Sequence, residues 1–279
     1  PARQSPTKPR QLFDLTPTDE QQMLQEAFGD FAGARLRPVA QDADSAAGAP
    51  AELLSQSAEL GAAMLGIPEE LGGATGERSA VTTVLVAEKL AHGDMGLAAA
   101  ILAPGGVASA LSLWGDEDQQ SRYLEPFAGD DVPAAALAIM EPRPLFDPLE
   151  LETTAIRRGD SWVLNGTKSL VPRAADAELL LVAARTESGA PGLFIVEGGS
   201  DGLLSEPDPA MGVRAAATGR VILEDVEVPA TNLLADADPA IYRECVSRSR
   251  IAWCAMAVGT GQAMLDYVIP YVNERKAFG

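Results

Sequence analysis

"GRVILEDVEVP" (residues 219–229) decides how this chain is read. Val221, Leu223, Val226 and Val228 alternate with polar neighbours, the two-residue period of a strand with one face in a core. The alternation slips once at Glu224–Asp225, which predicts a β-bulge. Upstream, "LLLVAAR" (179–185) and "GLFIVEGG" (192–199) have the length and composition of buried strands. "SWVLNGTKSLV" (161–171) places Asn165-Gly166 between apolar halves, the pattern of a hairpin turn. Residues 133–235 therefore read as a β-domain.

Both flanks of that segment are helical. "LTPTDEQQMLQEAFGDFAGARLRP" (15–38) predicts a helix with Thr16 as cap, Pro17 in its first turn and Pro38 as its stop. Leu24, Phe28 and Phe31 fall at helical spacing. Further helices are expected near 51–60, 79–92, 95–103, 105–113 and from Asp116, so residues 16–132 read as a helical N-terminal domain. The uncharged run Met95–Gly115 is long enough to cross a bilayer. "APGG" (103–106) divides it, and two buried helices joined by a turn are expected instead, with no membrane span. After Pro239 the helical pattern returns with Ile251, Met256, Val258, Met264, Leu265 and Val268. This helix, over 236–279, needs further sequence or another chain to cover its apolar stripe.

The bulk numbers set limits. In 279 residues, 47% are hydrophobic and 5% aromatic, enough for a substantial core. Lys and Arg number 21 against 40 Asp and Glu, a net charge of −19, which argues against nucleic acid as partner. Cys245 and Cys254 lie nine apart, on opposite faces of one helix, and cannot bridge to each other. No metal-ligand spacing is present, and a reducing cytoplasm is the expected compartment. Residues 1–15 read as a disordered polar arm without a signal-peptide core. His92 is expected at a helix end, where the dipole favours it. "GTGQAM" (259–264) lacks the preceding strand that a dinucleotide loop requires.

Six segments, in order, carry a resemblance. They are "LGIPEELGG" (65–73), "VAEKLAHGD" (86–94), "WGDEDQQSRYLEPFAGDD" (114–131), "LNGTKSLVPRAADAELLLVAART" (164–186), "MGVRAAATGRVILEDVEVPATNLL" (211–234) and "YVNERKAFG" (271–279). Together they resemble the acyl-CoA dehydrogenase family over residues 16–279. The resemblance implies an α+β fold: a helical N-terminal domain, a middle β-barrel-like domain and a C-terminal helical bundle. It implies FAD-dependent oxidation of an acyl-CoA thioester to a 2-enoyl-CoA, in which a carboxylate takes the α-proton and the flavin takes the β-hydride. It also implies an electron-transfer flavoprotein as electron acceptor and a homo- or hetero-oligomeric assembly, dimer or tetramer. The flavin performs the hydride chemistry, and the protein supplies position and dipoles.

The same resemblance assigns residues. At the corner "MEPRPLFDP" (140–148), Met140 stands where the family has a flavin-bonding Thr, and Leu145 and Phe146 stand where it has the Gly-Ser of the pyrophosphate contact. Leu170 and Pro172 occupy the family's aromatic and hydroxyl positions beside the ring. Arg275 and Phe278 match the Arg-x-x-Phe-Gly whose guanidinium reaches a neighbouring subunit's FAD pyrophosphate. Arg250 corresponds to a substrate-binding Arg. The residue before it, where some members carry the catalytic Glu, is Ser249, so the base is expected beyond Gly279. A second reading makes the chain a non-catalytic subunit that completes a neighbour's FAD site through Arg275.

Overall fold

The computed structural model describes residues 16–65, 67–73, 79–129 and 131–276. The arm expected at 1–15 and Phe278 lie outside the described residues. Helix α1 (Asp19–Phe31) starts two residues later than the sequence suggests. Thr18 is its cap, accepting from the Gln21 amide, while Gln21 returns a bond to the Thr18 N–H. The Thr-x-x-Gln spacing makes this reciprocal box possible at Thr18. Pro38 does not stop the run. A π-helical turn (Ala32–Leu36) carries it into α2 (Arg37–Ala46). The Arg37 N–H bonds back five residues to Ala32, and Pro38 falls in the first turn of the new helix, where it has no intrahelical partner to lose.

Next come α3 (Ala51–Glu59), α4 (Ala80–Gly93) and α5 (Met95–Trp114). Helix α5 corrects a second expectation, because it is continuous through Pro104. Pro104 deprives the Ala100 carbonyl of its donor, but the helix is walled in on several sides. Leu97, Ala98 and Ile101 pack with Phe28, Leu90 and Met256, while Val107 and Leu111 pack with Phe127 and Tyr242. Tertiary contact outweighs the local break. By length and composition α5 could cross a membrane, yet 67% of its most apolar window is buried inside the protein.

After α6 (Glu117–Tyr123), capped by Asp116, the chain enters seven strands. These are β1 (Ala135–Ala138), β2 (Thr154–Arg158), β3 (Ser161–Val171), β4 (Leu179–Thr186), β5 (Pro191–Glu197), β6 (Leu203–Pro207) and β7 (Gly219–Pro229). They form a curled sheet in the order β1-β4-β2-β3-β7-β6, with β5 also on β4. β4 is buried on both faces. Leu179, Leu181 and Ala183 meet the helices, whereas Leu180, Val182 and Ala184 meet the inside of the curl. That is why its sequence is a continuous apolar run.

Strand β7 alternates as read, with Val221, Leu223, Val226 and Val228 all buried. Its bulge is at the expected place: Leu164 pairs with Val226 and Gly166 with Leu223, leaving two β7 residues opposite Asn165. The Asn165-Gly166 pair, however, is not a turn. It lies inside β3, and the β2–β3 connection is made at Gly159–Asp160. Asn165 clamps the bulge by accepting from the Asp225 amide (2.9 Å) and donating to the Asp225 carboxylate (3.0 Å). Gly166 (φ 149°) is needed for closeness, since a Cβ there would lie 2.6 Å from Thr153 Oγ1.

The chain ends in α7 (Pro239–Glu274), which contains both cysteines, Cys245 buried and Cys254 exposed, and all of "GTGQAM". Its first half is anchored through Tyr242, Val246, Ala255 and Met256. Of the apolar residues expected to face a core, only Met256 is buried. Ile251, Val258, Met264, Leu265 and Val268 are exposed, because nothing among the described residues lies against them. His92 ends α4 and meets Asp266 of α7 at 2.9 Å, the helix-end role expected of it.

Candidate functional site

The corner "MEPRPLFDP" leaves β1 and returns towards β2. At its entrance, the Ser169 amide donates to the Met140 carbonyl (2.9 Å), which sets Met140 beside Leu170 at neighbouring strand ends. Both side chains are open to solvent, at 43% and 42%. Leu170 has φ 51°, and its amide makes a long bond to Asp208 (3.4 Å). Pro172 follows, half-buried, and Arg173 (φ 50°) donates its amide to the Ala216 carbonyl. Two apolar side chains on an exposed edge form a platform suited to a flat ring.

Beneath the platform is a buried ion pair that the sequence reading did not single out. Lys168 Nζ donates to Glu141 Oε1 (2.9 Å) and to the Ile139 carbonyl (3.3 Å). Glu141 also accepts the amides of Glu152 and Thr153, each at 2.9 Å. Burial works against ionising Glu141. The two amides and the Lys168 ammonium outweigh it and hold the carboxyl well below the usual range. Burial draws Lys168 below the usual lysine range, with Glu141 opposing the shift.

Arg143 wraps the corner from outside. Its guanidinium donates to the carbonyls of Glu150 and Asp147, lies within 3.7 Å of Glu141 and covers the Phe146 ring at 5.3 Å. Phe146 packs against the core, so it is partly a filler between layers. Leu145 does the reverse: it is 99% exposed with φ 54°. A non-glycine residue in that region costs energy that no buried contact of its side chain offsets. Its main chain offers an explanation. The amides of Leu145 and Asp147 make no hydrogen bond among the described residues, whereas the Phe146 amide closes a turn over Pro144–Leu145 and those of Arg143, Leu149 and Glu150 are bonded as well. Main-chain amides around a left-handed residue can form an anion-binding concavity.

Tyr242 ties α7 to this corner. Its hydroxyl donates to the Pro148 carbonyl (2.6 Å), and burial pushes its ionisation far up, with Cys245, Glu141 and Asp147 adding to the effect and Arg250 opposing it. Arg250 is exposed on the same half of α7, close enough for its charge to be felt at Tyr242. Arg275 is elsewhere. It is exposed, stacked 5.3 Å over Tyr271, and roughly 37 Å along the helix from Arg250.

The expected residues thus separate into two groups. Met140, Leu145, Phe146, Leu170 and Pro172 gather at the β1–β3 edge, with Arg250 on the adjoining helix, while Arg275 is remote from them. Tyr242 and the Lys168–Glu141 pair were missed. A lysine two positions before Leu170 and a glutamate directly after Met140 are the only signals, and neither reveals burial. A hollow of about 200 Å³ between α3 and α5 is lined by Arg173 but by none of the expected residues.

The residues at the edge fit a flavin dinucleotide in one manner: apolar side chains against the ring and main-chain amides for the phosphates. The hydroxyl donors of the family pattern have no replacement at positions 140, 146 and 172.

Residues 18–131 match the family model described as acyl-CoA dehydrogenase, N-terminal domain, and residues 136–226 match the middle domain. The probable acyl-CoA dehydrogenase YngJ of Bacillus subtilis is 34% identical over 275 residues, covering 96% of this chain and 71% of the relative. The solved butyryl-CoA dehydrogenase of Megasphaera elsdenii superposes with a TM-score of 0.86 at 27% identity, covering 96% of this chain and 72% of the other. An acyl-CoA dehydrogenase complexed with FAD from Bacillus anthracis gives 0.82 at 29% identity, covering 94% and 46%.

Proposed function

We propose, for a chain that belongs to the acyl-CoA dehydrogenase family, the FAD-dependent α,β-dehydrogenation of an acyl-CoA thioester to the 2-enoyl-CoA. One observation carries the reading: the Leu145 and Asp147 amides, without a hydrogen bond among the described residues, lie on the corner that also presents the apolar platform of Met140 and Leu170. When bound, FAD supplies the acceptor for the β-hydride.

The chain's own residues hold and orient. Met140, Leu170 and Pro172 give the ring an apolar bed that excludes water. The Leu145 and Asp147 amides take phosphate charge without any side-chain hydroxyl. Arg250, an exposed cation on α7, suits the anionic coenzyme A portion of the substrate. Arg275, remote from this corner, and Phe278 after it serve the FAD of a neighbouring subunit in a dimer or tetramer. Ser249 is no base near neutral pH, and the α-proton acceptor is left unassigned among the residues of this chain. The reduced site passes its electrons to an electron-transfer flavoprotein in the cytoplasm. A non-catalytic companion role has less support, since the relatives at 30% identity and above include several dehydrogenases.

The test is direct. The purified protein is expected to take up FAD, show the visible flavin absorption, and bleach on addition of a saturated acyl-CoA from a series of chain lengths. A colourless protein that neither binds added FAD nor reduces it with any member of the series would overturn the reading.

A further inference from the structure

Among the described residues, Lys168 is the one lysine or arginine wholly removed from solvent, and its partner Glu141 is 3% exposed. The sheet does not require a charge at this point. Lys168 pairs with Val221 in the β3–β7 ladder, and an apolar side chain of similar volume would fill the space without the desolvation cost. What an apolar side chain cannot do is collect donors. The Glu141 carboxylate gathers three, from two segments: the Lys168 ammonium in β3 and the adjacent amides of Glu152 and Thr153 on the returning leg of the corner, while it belongs itself to the outgoing leg. The ammonium adds the Ile139 carbonyl at the end of β1. Both ends of the loop that carries the Leu145–Asp147 amides therefore close on one buried point. The same point fixes the strand ends that present Met140 and Leu170.

We infer that the Lys168–Glu141 pair is the positioning device of the cofactor site, holding the ring platform and the phosphate loop in register so that flavin affinity depends on it as well as stability. Lys168 and Glu141 touch neither substrate nor cofactor; they act through Met140, Leu170 and the corner amides. The inference rests on the FAD reading above.

The experiment compares the wild-type chain with Lys168→Met, Glu141→Gln and the double variant. Three quantities are followed: thermal midpoint, amide exchange at Glu152 and Thr153, and FAD affinity by flavin fluorescence. Each single variant leaves a lone buried charge or loses the charged acceptor, and its midpoint should fall. The double variant is neutral and should recover most of the midpoint. It should still exchange the Glu152 or Thr153 amide about tenfold faster and bind FAD about tenfold more weakly than wild type, because Glu152 and Thr153 bond to different carboxylate oxygens and in Gln one of these is replaced by an NH2 donor. Recovery of midpoint, exchange and affinity together in the double variant would overturn the inference and leave the pair as core filler. If wild type binds no FAD, the functional reading fails instead, and the exchange rates alone still decide whether the pair holds the corner.

Discussion

Proline stands in two places where it should break the chain, with opposite results. In α5, Pro104 interrupts nothing: the helix runs from Met95 to Trp114 with Pro104 itself buried. At the corner, Pro142, Pro144 and Pro148 accompany a real change of direction, and the loop between them is closed by Glu141, Lys168 and Arg143. The difference lies in what replaces the lost local order. Around α5 it is apolar contact on several flanks, which is non-directional and tolerates one missing hydrogen bond. At the corner it is a set of directed polar bonds, each with a named donor and acceptor, and little apolar packing at the tip. The helix should therefore be robust to single changes and the corner brittle.

The largest expected effect is at the corner. Lys168→Met should lower the unfolding free energy by about 3–5 kcal/mol, as when one member of a buried pair is removed, and urea unfolding would measure it. A loss below about 1 kcal/mol, the range of exposed pairs, would show the corner to be no more brittle than a surface.

Acid should act on the same point. The Glu141 carboxyl is lowered from 4.5 to about 2 in the folded protein. A folded value below the unfolded one means its contribution is complete above pH 4.5 and lost as pH falls towards 2. Allowing for screening, about 2 kcal/mol is at stake. Thermal midpoints across this range should fall more steeply in wild type than in Glu141→Gln.

Tyr242→Phe is expected to cost about 1–2 kcal/mol, because it leaves the buried Pro148 carbonyl without its donor. It should also speed exchange around the corner, while α5 amides stay protected. The smallest effect should come from Pro104→Ala. Restoring one N–H to the helix should raise stability by about 1 kcal/mol, seen in the same urea titration. A loss of several kcal/mol there would mean that α5 depends on its proline, and the contrast between the two regions would collapse.

Much of this was legible in the residues. The β7 alternation, its bulge, the helical flanks and the ordered motifs needed only periodicity and spacing, which local chain geometry enforces. Three local signals misled. Pro38 was absorbed by a π-helical turn, Pro104 by packing, and Asn165-Gly166 was used for close approach to Thr153 rather than for a turn. In the last two, a signal that depends only on neighbours in sequence was overruled by neighbours in space. The site was half legible. Met140, Leu145 and Leu170 could be located by motif position, but their main-chain environment could not, since a free amide leaves no mark in the sequence.

By itself, then, the sequence determined the succession of helices, strands and final helix, and which family's scaffold these make. Periodicity of burial is a property of the chain. Only the tertiary structure decided that Lys168 is buried against Glu141, that the Leu145 and Asp147 amides have no partner among the described residues, and that Arg275 lies far from this chain's own corner. Those facts depend on which distant segments share a desolvated point, and desolvation is set by the packed molecule rather than by any residue's own chemistry.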